Sequence, residues 1–180
     1  MGETKRKGLG LAWAKVFAAF WRDEAVMALS TDEKLVAIYC LTGPQKRGCG
    51  IFSFSIGAGF EDCGFDYETF RKHFANVVRT LEWRYDETFR VLYIPEWWKW
   101  NTPDNQNQLK GCMKTLGELP KTELLKDFAA NTKHLPAVLH KTFAQTLAKP
   151  LGEPLGEPLG KPSRTQEQGT GSRNRSRNRN

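Results

Sequence analysis

The chain has 180 residues, 39% of them hydrophobic, and a formal net charge of +7 at pH 7. This apolar share supports one core of modest size, and no uninterrupted apolar run approaches the roughly 18 residues of a membrane-spanning helix. We therefore expect one domain with appendages and no membrane association. The basic balance favours nucleic acid or another anionic surface as a partner.

The cysteines and histidines are spaced in a way that argues against a structural zinc site. Cys40, Cys49, Cys63 and Cys112 include no CxxC pair, and the three histidines show no ligand-like pairing with them. Free buried thiols in a reducing cytosol fit better, so we expect no metal and a cytoplasmic location. The basic N-terminus precedes an apolar stretch, but Lys15 interrupts that stretch, which disfavours a signal peptide.

The predicted elements begin after a basic N-terminal arm over residues 1–10. In chain order they are an extended segment or short strand (12–21), a short helix (23–29), a helix (30–42), a brief strand (51–54), a short helix (55–64), a long helix (66–80), and the strands "EWRY" and "FRVLYI" joined at "DET". Ser30 and Glu33 have capping-box spacing, and Gly43-Pro44 ends the helix that they open. That helix carries Leu35, Ile38, Tyr39 and Thr42 on one side.

Three further helices are predicted after the hairpin, at 106–116, at 121–130 between Pro120 and Asn131, and at 135–147, with Pro136 in a first turn. Composition changes near residue 148, where a period-four Pro-Leu-Gly-Glu repeat is followed by Ser-Arg-Asn repeats. From Lys149 onward, seven basic and three acidic residues carry +4 of the +7, which leaves +3 for the preceding part. We expect 148–180 to be a disordered tail, either merely solvated or binding phosphate nonspecifically.

The long helix over 66–80 has an apolar face and a polar face. Its predicted buried stripe is Phe70, Phe74, Val77 and Leu81. The opposite pole carries Thr69, Lys72, Asn76 and Arg79, with Arg71 and His73 beside it. These side-chain types read base edges and phosphates in protein–DNA complexes, although any surface helix has such a polar face.

The order of the elements predicts an α+β, mainly helical fold of the winged helix-turn-helix type over residues 11–104. The second helix of the turn pair would enter the major groove, and the hairpin would be the wing, with Arg84 and Arg90 near its tip for phosphate contact. Residues 105–147 would form a helical extension. The predicted DNA-contacting residues are Thr69, Arg71, Lys72, Asn76, Arg79, Arg84 and Arg90.

Motifs for catalysis or nucleotide binding are missing from the sequence. There is no GxSxG, GxGxxG or Walker A pattern, and Glu61-Asp62 and Asp86-Glu87 are isolated acidic pairs, so we predict no enzyme activity and no cofactor. Trp97, Trp98 and Trp100 stand at the end of the second hairpin strand. Alternation puts Trp98 and Trp100 on one face, so one face would join the core and the other could stack on unpaired bases.

A set of residues scattered between positions 11 and 145 follows a known pattern: Phe17, Phe20, Trp21, Asp23, Leu41, Thr42, Pro44, Gly50, Ile51, Trp97 and Leu109-Lys110-Gly111. In this pattern the chain resembles the N-terminal region of phage replication initiation proteins, also called replisome organisers. The resemblance implies a winged-helix domain that binds replication-origin duplex DNA in a bacterial host cell and helps to bring the host replicative helicase or its loader there.

Two departures from the family pattern bear on that expectation. A low-complexity tail stands where relatives often have a C-terminal domain for helicase contact, and "PQKRG" replaces a longer loop. Two alternatives stay open: an adaptor whose helices dock a helicase or a second copy in a homo-oligomer, and a winged-helix transcriptional regulator. A DNA binder with several phosphate contacts differs from an adaptor in losing affinity steeply with salt.

Overall fold

The computed structural model describes residues 15–151, with side chains to residue 148, as an α+β, mainly helical fold. The helices are α1 (Glu24–Met27), α2 (Thr31–Thr42), α3 (Ile56–Cys63), α4 (Tyr67–Thr80), α5 (Trp97–Trp100), α6 (Gln106–Cys112), α7 (Leu124–Ala130) and α8 (Ala137–Leu151). The strands are β1 (Ile51–Ser53), β2 (Arg84–Asp86) and β3 (Val91–Tyr93). Turns of 3₁₀ helix cover Ala18–Arg22 and Leu116–Glu118. The arm over residues 1–10 and the tail from residue 152 lie outside the described residues.

The three strands form one antiparallel sheet in the order β1-β3-β2. Tyr93 of β3 stands between Ile51 of β1 and Arg84 of β2, and Val91 pairs with Asp86 at the other end of the hairpin. The predicted strand after the α2 loop and the predicted hairpin are therefore confirmed as elements of a single sheet.

Local capping explains where the helices of the first half begin and end. The Ser30 hydroxyl accepts from the Glu33 N–H at 3.2 Å, and the Glu33 carboxylate accepts from the Ser30 N–H at 2.8 Å, which confirms the predicted capping box. Asp66 caps α4 by accepting from the Thr69 N–H at 2.9 Å. Gly64 ends α3 at φ 74°, a left-handed conformation that glycine adopts without steric cost.

Two predicted extended segments are helical turns instead. Residues 18–21, predicted as part of an extended segment or short strand, belong to the 3₁₀ turn Ala18–Arg22, with the Phe20 N–H donating to the Phe17 carbonyl at 2.9 Å. Residues 12–14 of that segment lie outside the described residues. The tryptophans after β3 are not on a strand but in α5, because the Trp97 N–H turns back to the Ile94 carbonyl at 3.2 Å after Pro95.

Three predicted boundaries are also shifted. The hairpin turn covers residues 87–90 rather than "DET", so Arg84 stands at the base of the hairpin and not near its tip. The helix predicted over 106–116 ends at Cys112, and a 3₁₀ turn follows. The last helix runs to Leu151, past the predicted start of the tail at 148, because its backbone hydrogen bonding continues through these residues.

The buried side chains form one continuous core that includes both the sheet half and the helical extension. In the first half, α4 buries Phe70, Phe74 and Val77 as predicted, and Leu81 is partly buried. In the second half, Phe128 of α7 lies 5.3 Å from Phe143 of α8, 5.9 Å from Tyr93 and 6.4 Å from Trp98, measured between ring centroids. The extension thus packs on the sheet through an aromatic group centred on Phe128.

Gly50 and Gly64 form a matched pair for testing how closely α5 packs on the strand. Both have positive φ, 79° and 74°, but a Cβ on Gly50 would stand 2.4 Å from the Trp97 Cβ, whereas one on Gly64 would meet nothing within 4 Å. We expect Gly64→Ala to lower the free energy of unfolding by about 1 kcal/mol through backbone strain alone. Gly50→Ala should cost ~2 kcal/mol more because of overpacking. Urea unfolding of both variants checks this, and equal losses would contradict the close approach of Trp97.

Candidate nucleic-acid interface

The outward face of α4 follows from which of its residues are buried. Because Phe70, Phe74 and Val77 turn inward, the fully exposed positions lie on the opposite side of the helix. The exposed residues of α4 are Tyr67, Glu68, Arg71, Lys72, Ala75 and Arg79. Four of them, Glu68, Lys72, Ala75 and Arg79, are spaced i, i+4, i+7, i+11 and form the central row of this face.

Two of the predicted pole residues lie on that row, and two lie to one side of it. Lys72 and Arg79 are exposed, as expected from the sequence. Thr69 and Asn76 are only partly exposed. The Thr69 hydroxyl donates to the Asp66 carboxylate at 2.6 Å. This bond has the largest effect in lowering the pKa of Asp66, and the bond from the Thr69 N–H has the next largest. Thr69 is therefore part of the helix cap.

Asn76 is engaged with side chains on both of its amide atoms. Its Nδ2 donates to Oε1 of Glu33 in α2 at 2.6 Å, and its Oδ1 accepts from the Arg79 guanidinium. The Glu33 side chain is 14% exposed, and its pKa is lowered, chiefly by the hydrogen bond from the Ser30 backbone N–H. Sequence reasoning missed Glu33 as a neighbour of this face, because a contact across 43 residues leaves no local pattern.

The other flank of α4 carries Arg71 of the helix itself and faces the hairpin turn, which contains Arg90. Arg71 forms an ion pair of 3.3 Å with Glu87 in that turn, with both side chains more than half exposed. Arg90 lies at the end of the turn, exposed and at φ 53°. The Arg90 carbonyl accepts from the Phe54 N–H at 2.7 Å, but the side chains of Lys72 and Arg90 have no partner among the described ion pairs and hydrogen bonds. An open groove between α4 and β2 is lined by Arg71 and Lys72, together with Ala75 and Val78.

Arg84 is not brought together with the other predicted residues. It stands at the base of the hairpin, where its guanidinium pairs with Asp127 of α7. The neighbouring Asp86 accepts from the Thr122 hydroxyl and, at 3.0 Å, from the Phe89 N–H. Both bonds lower the pKa of Asp86, and the bond from Thr122 has the larger effect. We call this group, Arg84, Asp86, Thr122 and Asp127, the brace, because it ties the hairpin to the helical extension.

The tryptophans after β3 divide differently from the predicted alternation. Trp97 and Trp98 are both buried, and the Trp97 Nε1 donates to the Gly48 carbonyl at 2.7 Å. Only Trp100 is exposed, at 39%; its ring lies 5.6 Å from that of Phe17, and the Lys99 Nζ lies 4.8 Å from its centroid. Successive residues on a helix turn point 100° apart, so the strand-based division does not apply.

The described residues hold no other chemically distinctive cluster. No group of three His, Cys, Asp or Glu side chains within them could hold a metal ion. All four cysteines are free thiols: Cys40 and Cys49 are buried, Cys63 and Cys112 are partly buried, and burial raises the pKa of Cys49 to about 12. Over residues 15–151, every helix is too short or too polar to cross a membrane.

Comparisons with known proteins give no match, whether to a family model, to a curated protein or to a solved structure.

The brace should make stability depend on pH through Asp86. Because its pKa is lower in the folded chain, the stability that it contributes is complete above the pKa of an unfolded aspartate and is lost as pH falls through the folded value. We expect Thr122→Val to destabilise the protein by about 1 kcal/mol at pH 7, with the gap to the unmodified chain narrowing below about pH 4.

Thr146→Val provides the control for this measurement. The Thr146 hydroxyl donates to the Thr142 carbonyl at 2.7 Å and contacts no carboxylate, so its effect should not vary with pH. Thermal unfolding of the unmodified chain, Thr122→Val and Thr146→Val from pH 7 to pH 3 gives the loss of stability caused by each substitution at each pH. A Thr122→Val gap that stays constant over this range would contradict a charged acceptor in the brace.

Proposed function

We propose that residues 11–104 act as a winged helix-turn-helix domain that binds duplex DNA, with α4 as the helix in the major groove. The single observation that carries the proposal is the outward row of α4, where Lys72 and Arg79 are exposed on a helix that follows directly on α3. The order helix, strand, helix, helix, hairpin, with the strands arranged β1-β3-β2, is the order of elements in this class of domain.

We assign two roles to the exposed cations on this face: some contact base edges, and others contact the sugar-phosphate backbone and fix the position of the protein on the duplex. Lys72 lies in the body of α4 and Arg79 in its last turn, both on the outward row, and both side-chain types pair with guanine. Arg90 lies in the hairpin turn and Arg71 is paired with Glu87 of that turn, so both would contact the sugar-phosphate backbone if the hairpin acts as a wing. Glu68, at the start of the row, can accept from cytosine and would disfavour a nearby phosphate.

The cellular role that we propose is binding of replication-origin DNA by a phage-derived initiator, followed by recruitment of the host helicase or its loader. Support for this step comes from the resemblance of the sequence to replisome organisers. A transcriptional regulator would use the same DNA-binding face, and the identity of the selected DNA site separates the two roles.

A second candidate, a protein-interaction adaptor, is favoured by one separate feature. Phe17, Trp21 and Trp100 are 43%, 55% and 39% exposed, and two of them border an apolar groove of about 290 Å³ beside the C-terminal end of α4. Large exposed aromatic side chains grouped in this way are typical of protein-binding surfaces. Binding by this surface would be insensitive to salt compared with binding through cations.

Duplex binding should weaken steeply as salt rises, with Arg90 contributing one phosphate contact. We expect Arg90→Ala to weaken binding to all duplexes about equally and to lower the slope of log K against log salt by roughly one unit. The slopes are measured by fluorescence anisotropy with a labelled duplex at salt concentrations of roughly 50 to 300 mM. Over this range, affinity that depends on phosphate contacts falls measurably.

Lys141→Ala is the matched control, since Lys141 is an exposed cation of α8 away from the proposed face. It should leave both affinity and slope unchanged. A slope near zero for the unmodified chain would contradict DNA binding and favour the adaptor. Equal effects of Arg90→Ala and Lys141→Ala would contradict the placement of the wing.

A further inference from the structure

Glu33, Asn76 and Arg79 form a chain of hydrogen bonds that runs from the start of α2 to the outward row of α4. One Glu33 oxygen, Oε2, accepts from the Ser30 backbone N–H at 2.8 Å, which fixes the carboxylate in the capping box. The other, Oε1, accepts from Asn76 Nδ2 at 2.6 Å. His73 lies beside the same carboxylate, with its Nδ1 3.9 Å from Oε1. The anchor of the chain is therefore built into the scaffold.

The chemistry of the three groups determines how the Asn76 amide is oriented. A carboxylate only accepts hydrogen bonds, so the amide must turn its NH₂ group toward Glu33. Its carbonyl oxygen then faces the other way, and there it accepts from the Arg79 guanidinium, which only donates. Reversing the amide would place donor against donor and acceptor against acceptor at the two ends.

This orientation leaves Asn76 poorly suited to read a base. Bidentate recognition of adenine requires both the amide NH₂ and the amide oxygen, and here both are engaged inside the protein. Arg79 is in the opposite situation, since it is exposed and uses one of its five N–H donors on Asn76. The fork of donors that remains can face guanine or a phosphate.

We propose that Asn76 is a positioning residue that holds the Arg79 guanidinium for DNA recognition, with Glu33 as its anchor, an inference that rests on the proposed DNA-binding function. An exposed arginine loses side-chain freedom when it binds, and a guanidinium already held at one nitrogen loses less. Selectivity for a preferred duplex therefore depends on Asn76 only through Arg79. Asn76 is a specificity determinant that touches no base.

The experiment measures selectivity, which is the ratio of affinities for a duplex selected from a random pool and for its scrambled counterpart. Arg79→Ala should lower this ratio by roughly 10- to 100-fold, as expected for loss of a bidentate base contact. Asn76→Ala should lower it by a smaller factor, about 3- to 10-fold, since the arginine remains but is no longer held. The double variant should match Arg79→Ala, because Asn76 then has nothing to position.

Exchanging the donor and the acceptor between Asn76 and Glu33 distinguishes a positioning role from a merely structural one. Asn76→Asp keeps an acceptor for Arg79 but places a carboxylate against Glu33, so its selectivity should fall. Adding Glu33→Gln gives the introduced amide a hydrogen to donate to the introduced carboxylate and keeps an oxygen for the Ser30 N–H. Selectivity should recover to within about threefold of the unmodified chain. Unfolding midpoints show that each variant is folded, and the exchanged pair provides the test if Asn76→Ala does not fold.

Lys72→Ala is the matched control, because Lys72 lies on the same row but outside the chain of hydrogen bonds. Its effect should multiply with that of Asn76→Ala rather than disappear in the double variant. If the unmodified chain selects no duplex, the proposed function itself fails. If it does select one, any of three results overturns the inference. These are selectivity that Arg79→Ala leaves unchanged, an Asn76→Ala effect that persists without Arg79, and exchanged residues that do not restore selectivity.

Discussion

The ring of Phe74 sets the rotation of α4 about its own axis, and the proposed interface depends on that rotation. It stacks on Phe54 after β1 at 5.0 Å between centroids and 10° between planes, and it meets Tyr85 of β2 edge-on at 4.9 Å. Such aromatic contacts combine a large buried area with a preferred geometry, so they resist rotation of the helix. With Phe74 held between Phe54 and Tyr85, the row of Lys72 and Arg79 must face outward.

The carboxylates around this face differ in how readily a phosphate could replace them. The ion pair between Arg71 and Glu87 is more than half exposed on both sides, and pairs of this kind contribute little to stability. A DNA phosphate could take the place of Glu87 at small cost. Glu33 is only 14% exposed and belongs to the capping box, so replacing it would break α2 at its first turn. One acidic residue is thus exchangeable, and the other is part of the framework.

The helical extension is bonded to both ends of β2, at Arg84 and at Asp86, and to Tyr93 of β3. The brace joins β2 to α7 on one edge, and Asn131 donates to the Tyr93 hydroxyl at 2.8 Å and to the Pro95 carbonyl at 2.9 Å on the other side of β3. Both halves also share one core. The strands of the hairpin are therefore fixed to the body, whereas Glu87 and Arg90 in the turn have no contact with the extension among the described hydrogen bonds and ion pairs.

The sequence by itself determined the local elements: the capping box at Ser30 and Glu33, the breaks at Gly43-Pro44 and Gly64, and the apolar stripe of α4. These depend on hydrogen bonds and side-chain periodicity within a few residues, so they are readable from spacing. It also placed Lys72 and Arg79 on the exposed face. Only the tertiary structure decided the partners of the polar residues. Asn76 bonds to Glu33 and Arg84 pairs with Asp127, and the two residues of each pair are 43 positions apart in the sequence. Which long side chain a carboxylate meets depends on how distant helices pack, and no local pattern encodes that.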